Sequence, residues 1–207
     1  MKHILATTAL SLLTATAATA GTLGYGLTIS GSSSVGANFN VPKLSLSNTG
    51  DTGEITAFSI TVGDTDYNFD YFSGALTPPA GGTVSITLGD QTNGGVRYDE
   101  VALAFTDFGP GEMSSFFLDI DSDSANTVES FREVLFDNGP ALNSVVSVSF
   151  STGDILSMVL PDSQTQLTTY SFGQSKIVDA AVPLPASIPL LLAGLGALGV
   201  VRSRRRS

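Results

Sequence analysis

The chain has 207 residues, 42% of them hydrophobic, with a formal net charge of −10, one histidine and no cysteine, so a disulfide framework and a thiolate nucleophile are both excluded. Lys2, Arg202, Arg204, Arg205 and Arg206 are five of its nine cations, and residues 21–181 set only Lys43, Arg97, Arg132 and Lys176 against all 19 acids, a formal balance of −15. Such a surface repels nucleic acid and anionic lipid headgroups, and leaves cations and neutral glycans as compatible partners.

Residues 1–20 read as a secretory signal peptide. Lys2 supplies the positive start, Ile4 to Leu13 most of an apolar core, and Ala18-Thr19-Ala20 the small-x-small pattern that precedes cleavage, so the mature chain is expected to begin at Gly21. His3, the one histidine, lies in this segment. The exported domain therefore lacks both His and Cys, which excludes a Ser-His-Asp triad, a cysteine nucleophile and an ordinary zinc site.

Residues 21–181 read as one β-sandwich domain. Leu23, Tyr25, Leu27 and Ile29 fall on every second position, the spacing of one face of a strand. The period returns at Leu44 and Leu46; at Phe58, Ile60 and Val62; at Tyr67, Phe69 and Tyr71; at Val84, Ile86 and Leu88; and at Val101, Leu103 and Phe105. It continues at Phe116, Leu118 and Ile120; at Val146, Val148 and Phe150; at Leu156, Met158 and Leu160; and at Tyr170 and Phe172. Asn48 to Gly53 is expected to be a hairpin turn, and Pro78 to Gly82 and Asn93-Gly94-Gly95 are further breaks. About ten short strands of this kind predict an all-β fold, an antiparallel, jelly-roll-like sandwich. Thr127 to Asp137 departs from the pattern: Val128, Phe131, Val134 and Leu135 have helical spacing, with Glu129, Arg132 and Glu133 opposite, so one short helix is expected.

The most specific acidic cluster is Asp119, Asp121 and Asp123, which alternate with Leu118 and Ile120. A strand continued through them would converge three hard oxygen donors on the face opposite Phe116, and calcium is the ion that suits such donors. An EF-hand is excluded, because Ser124 stands where that loop needs Gly and Ser130 where it needs the bidentate Glu. The other reading is a solvated strand end. Asp99, Glu100, Asp107 and Glu112, and likewise Asp64, Asp66 and Asp70, are expected to lie on polar sheet faces.

The tail, residues 182–207, has three parts: Val182-Pro183-Leu184-Pro185-Ala186, an apolar run from Ile188 to Val201, and an arginine-rich end. Ser187 is placed to cap a helix and Pro189 falls in its first turn, which predicts a membrane helix over 187–201. The 14 residues from Ile188 to Val201 span roughly 21 Å at about 1.5 Å each, short of a hydrocarbon core of about 30 Å. Terminal arginines stay on the cytoplasmic side, so the domain before them would lie outside the membrane.

This order of parts resembles the C-terminal sorting signal of the PEP-CTERM class, in the variant whose motif reads VPLPA. The resemblance covers about the last 26 residues, with Val182, Pro183, Leu184, Pro185 and Ala186 matching the motif letter for letter. It implies export by the secretion machinery, a cytoplasmic-membrane intermediate held by the C-terminal helix, recognition by an exosortase-type enzyme, and arrival at the cell surface or in the extracellular matrix. Such proteins are commonly associated with exopolysaccharide. An ordinary single-pass anchor is the other reading of the tail. The expected role is structural or adhesive and non-enzymatic; the alternative is a glycan-binding module or weak glycosidase acting on surface polysaccharide through paired carboxylates.

Overall fold

The structure is a computed structural model that describes residues 20–31, 40–124, 130–137, 139–162 and 167–178. The expected signal peptide, apart from Ala20, and the whole of the tail with its membrane helix lie outside the described residues. Residues Gly21–Val178 form one compact unit.

Ten strands and one helix are described. They are β1 (Gly21–Ser30), β2 (Lys43–Asn48), β3 (Ile55–Thr61), β4 (Tyr67–Thr77), β5 (Thr83–Leu88), β6 (Glu100–Thr106), β7 (Met113–Ser122), α1 (Phe131–Phe136), β8 (Val145–Phe150), β9 (Ile155–Val159) and β10 (Thr169–Val178). All pairings are antiparallel, in two five-stranded sheets ordered β10-β1-β2-β7-β4 and β5-β6-β3-β8-β9. The chain is therefore all-β with one short helix, as its alternating pattern predicts.

The pattern works because each sheet turns one face inward. Leu23, Tyr25, Leu27 and Ile29 of β1, Leu44 and Leu46 of β2, and Phe116, Leu118 and Ile120 of β7 are buried from one sheet. Phe58 and Ile60 of β3, Val101, Leu103 and Phe105 of β6, and Val146, Val148 and Phe150 of β8 are buried from the other, in the same continuous core. Phe116 lies at the seam, edge-on to Phe58 of the facing sheet at 5.4 Å and to Phe72 of its own at 5.7 Å. Edge-to-face contact places the positive ring rim on the negative ring face.

Three expectations need correction. On β4 the core residues are Phe69 and Phe72, not Tyr71, because the register against β7 shifts between Phe69 and Phe72 and the added residue turns the strand over. Asn48 to Gly53 is no hairpin: β2 and β3 belong to different sheets, so the segment arches between them. Buried Asn48 holds the arch, donating its side-chain amide to the carbonyls of Gly53 (2.9 Å) and Phe108 (3.1 Å) while its Oδ1 accepts from the Gly50 N–H. Gly50 is required there, since a Cβ would come within 2.5 Å of the Thr22 carbonyl. The helix is also shorter than expected, covering Phe131–Phe136, with Thr127 to Glu129 outside the described residues. Its apolar face is as predicted: Phe131, Val134 and Leu135 are buried, and Phe136 packs on Tyr170 of β10 at 4.5 Å.

Gly21 and Val178 are register partners, so the points where the chain enters and leaves the sandwich lie side by side. Ser30, Lys43 and Phe117 follow one another across β1, β2 and β7 at the other end of that sheet, about 30 Å away for a ten-residue strand. The acidic residues of β7 lie past Phe117, at this far end.

Candidate metal centre

On β7 the core takes Phe116, Leu118 and Ile120, so Asp119 and Asp121 face outward as the alternation predicts. Their third partner is Asp70 of β4. One carboxylate oxygen from each of Asp70, Asp119 and Asp121 lies within 4.8 Å of the others. Asp70 arrives there through the β4 register shift, which displaces the strand beside Asp119. Asp123, expected in the cluster, is engaged elsewhere: its Oδ1 accepts from the Asn68 amide at 2.6 Å and lies 3.8 Å from the Arg97 guanidinium. Strand geometry ends at Ser122, so the alternation that would have aimed Asp123 with the others no longer applies.

The three carboxylates line a cavity of about 440 Å³, together with Asn40, Arg97 and the segment Asn93-Gly94-Gly95. The Asn40 amide donates to Asp119 at 2.8 Å and to Asp121 at 3.3 Å, and the Gly94 N–H donates to Asp70 at 2.8 Å. Arg97 spends one N–H on the Asp123 carbonyl, 2.7 Å away. Asp70 and Asp119 are 6% and 7% exposed, so two of three like charges are almost out of solvent. Burial pushes the Asp119 carboxyl up to about 6; the carboxylates of Asp121 and then Asp70 add to the rise, and a backbone hydrogen bond from Ile120 opposes it. Asn68, cross-strand from Asp121, gives its amide to the Asp121 carbonyl (3.3 Å) and to Asp123, leaving its own buried Oδ1 without a donor among the described residues.

This donor set suits a hard cation. Two oxygens bound to one calcium at about 2.4 Å can be no more than about 4.8 Å apart, and the three carboxylates meet that limit. The ligands come from two neighbouring strands, which agrees with the exclusion of an EF-hand loop.

The remaining acids stay apart from the cluster. Asp99, Glu100 and Asp107 are exposed, as expected of a polar face, whereas Glu112 tightens the β6–β7 turn by accepting from the Gly109 N–H at 2.6 Å. Asp64 accepts from the Asp66 N–H at 3.0 Å in the turn before β4. Asn126, near the expected site in sequence, lies outside the described residues. Sequence reasoning missed Asp70, Asn40, Asn93 and Arg97. Asp70 had a signal in Tyr71-Phe72, two adjacent aromatics that cannot both continue one alternating face.

No curated protein matches the chain. Among solved structures, an uncharacterized protein from Nocardia farcinica, described as having an immunoglobulin-like fold, is similar over 70% of this chain and 95% of its own, at 14% identity and a TM-score of 0.34. Residues 181–206, which include Val182, Pro183, Leu184, Pro185 and Ala186, match the PEP-CTERM protein-sorting motif, so the chain carries the C-terminal signal of an exosortase substrate.

Proposed function

We propose that this is an exported, non-enzymatic structural or adhesive protein of the cell surface or extracellular matrix, associated with exopolysaccharide, whose sandwich is stabilised by a calcium ion. Its sorting signal is read as the VPLPA variant. The signal peptide would be cut after Ala20, and the helix over 187–201 would hold the chain in the membrane until an exosortase-type enzyme cleaves near Val182 to Ala186. The helix is short for permanent residence, which supports a temporary holding role. Mass spectrometry of the surface protein from the native host should find Arg202 to Ser207 missing, and recovery of those residues on the mature protein would refute cleavage.

The sandwich is read as jelly-roll-like. In its six central strands β2 pairs with β7 and β3 with β6, while β4 joins β7 and β8 joins β3, a nested order that supports this reading.

The observation carrying the calcium reading is the convergence of Asp70, Asp119 and Asp121 within one coordination sphere. Bound calcium would be held by those three carboxylates, and its charge would offset the burial and the repulsion that raise the Asp119 carboxyl. Calcium should therefore raise the melting temperature, and an unchanged melt between saturating calcium and chelator would refute the site.

The second reading, a glycan-binding module or weak glycosidase, draws on Asp119, whose raised carboxyl resembles a general acid beside a second carboxyl group. Crowding of the carboxylates favours the cation. Hydrolysis of surface polysaccharide, lost on removing Asp119 or Asp121, would reverse that preference.

A further inference from the structure

The sheet edges are formed by β4 and β10 on one sheet and by β5 and β9 on the other. An edge strand presents unpaired backbone groups to any other strand, and proteins guard such edges with charge, proline or bulges. β4 shifts register twice against β7 and is bridged on its other side, where Phe69 and Tyr98 exchange backbone hydrogen bonds. β5 shifts register between Ile86 and Leu88, and β10 carries Lys176. β9 has none of these guards: Ile155-Leu156-Ser157-Met158-Val159 holds no charge and no proline, and pairs with β8 in unbroken register.

The free side of β9 can be read from its ladder. The Leu160 N–H donates to the Ser144 carbonyl and the Phe150 N–H to the Asp154 carbonyl, both at 2.9 Å, so positions 154, 156, 158 and 160 face β8. The backbone groups of Ile155, Ser157 and Val159 therefore point to the free edge, and none of them has a backbone partner among the described residues. Ile155 and Val159 are also 62% and 58% exposed.

These three residues are self-complementary. If a second copy approaches antiparallel about a two-fold axis at Ser157, Ser157 faces its own equivalent and Ile155 of each copy faces Val159 of the other. All three positions have outward backbone groups, so about six hydrogen bonds would form. An apolar cavity of about 360 Å³ adds a reason for the match: Val159 lines it together with Val62, Leu142 and Val145. Ile155 of the second copy would arrive at that rim. Asp154, the acid next to the strand, is paired with Lys176 at 2.6 Å, and the exposed acids Asp99 and Glu100 also line the cavity.

We propose that two copies of this chain associate edge to edge through β9, joining two five-stranded sheets into one and covering the apolar cavity beside Val159. Residues 21–178 contain the buried core of the described residues, form one compact unit and serve as the test protein. The chain has no cysteine, so Ser157→Cys reports the axis without background. Facing α-carbons would be about 5.5 Å apart, within disulfide range. Under mild oxidation Ser157→Cys should give a covalent dimer at least about tenfold faster than Ser85→Cys on the β5 edge, because pre-associated thiols have a high effective concentration. Adding Ile155→Lys and Val159→Lys should remove that advantage while leaving the melting temperature unchanged. Equal rates for the two cysteine variants, or cross-linking that survives both lysines, would overturn the proposal. Should Ser157→Cys not fold, sedimentation equilibrium decides: a dimer of the unaltered sandwich that the lysines dissociate supports it, and a monomer at about 1 mM overturns it.

Discussion

Replacing Asp119 by Asn tests the energetic core of the metal site. The carboxyl moves from an ordinary 3.8 to about 6 because it is buried beside Asp121 and Asp70. Each unit of such a shift corresponds to about 1.4 kcal/mol, so ionising Asp119 in the metal-free fold costs on the order of 2–3 kcal/mol. The sign follows from proton binding. Between pH 3.8 and about 6 the folded protein holds a proton that the unfolded chain has released, so this residue's contribution to stability falls as pH rises through that window and stays low above it. Asparagine keeps an oxygen for the Asn40 amide and carries no charge. In chelator at pH 8, Asp119→Asn should melt about 5–10 °C above the parent, given about 2–4 °C per kcal/mol for a domain of this size. Calcium should raise the parent's melting temperature strongly and the variant's little or not at all. Calorimetry at pH 4, 6 and 8, with and without calcium, gives both comparisons. An Asn variant that melts below the parent in chelator at pH 8, or that gains as much from calcium as the parent, would refute the reasoning.

The core supplies two further predictions. The Tyr25 hydroxyl is buried without a hydrogen-bond partner among the described residues, and burial pushes its phenol up to about 12; Tyr25→Phe removes that unsatisfied group and should stabilise the sandwich by about 1 kcal/mol, read as a higher midpoint in urea. Phe116 touches Phe58 across the sheets and Phe72 beside it. Phe116→Ala should cost about 3–5 kcal/mol in the same assay, and a loss below about 1 kcal/mol would show that the seam collapses around the cavity.

The C-terminal tail was legible because its information is local. A Pro-x-Pro segment, an apolar run and terminal arginines act through order along the chain, and residues 181–206 match a sorting motif on those terms. Strands were almost as legible, because inward and outward positions alternate whatever the neighbouring strand is; the buried sets on β1, β6, β7 and β8 are the predicted ones.

Legibility ended where the answer depended on a partner. Asn48 to Gly53 has the composition of a hairpin turn, yet whether the following strand joins the same sheet or the opposite one depends on pairing remote in sequence. The same reason governs the acidic site. Spacing identified Asp119 and Asp121, and by the same alternation proposed Asp123, which Asn68 and Arg97 instead draw to the strand end. Asp70 stands 49 positions before Asp119, and a slip in the β4–β7 register brings the two together. The sequence by itself determined the pleat, the core face and the sorting tail, each set by neighbours along the chain. Tertiary structure decided which carboxylates meet and which edge is left open, because both depend on hydrogen-bond register between strands, and a shift of one residue reverses the face on which a side chain lies.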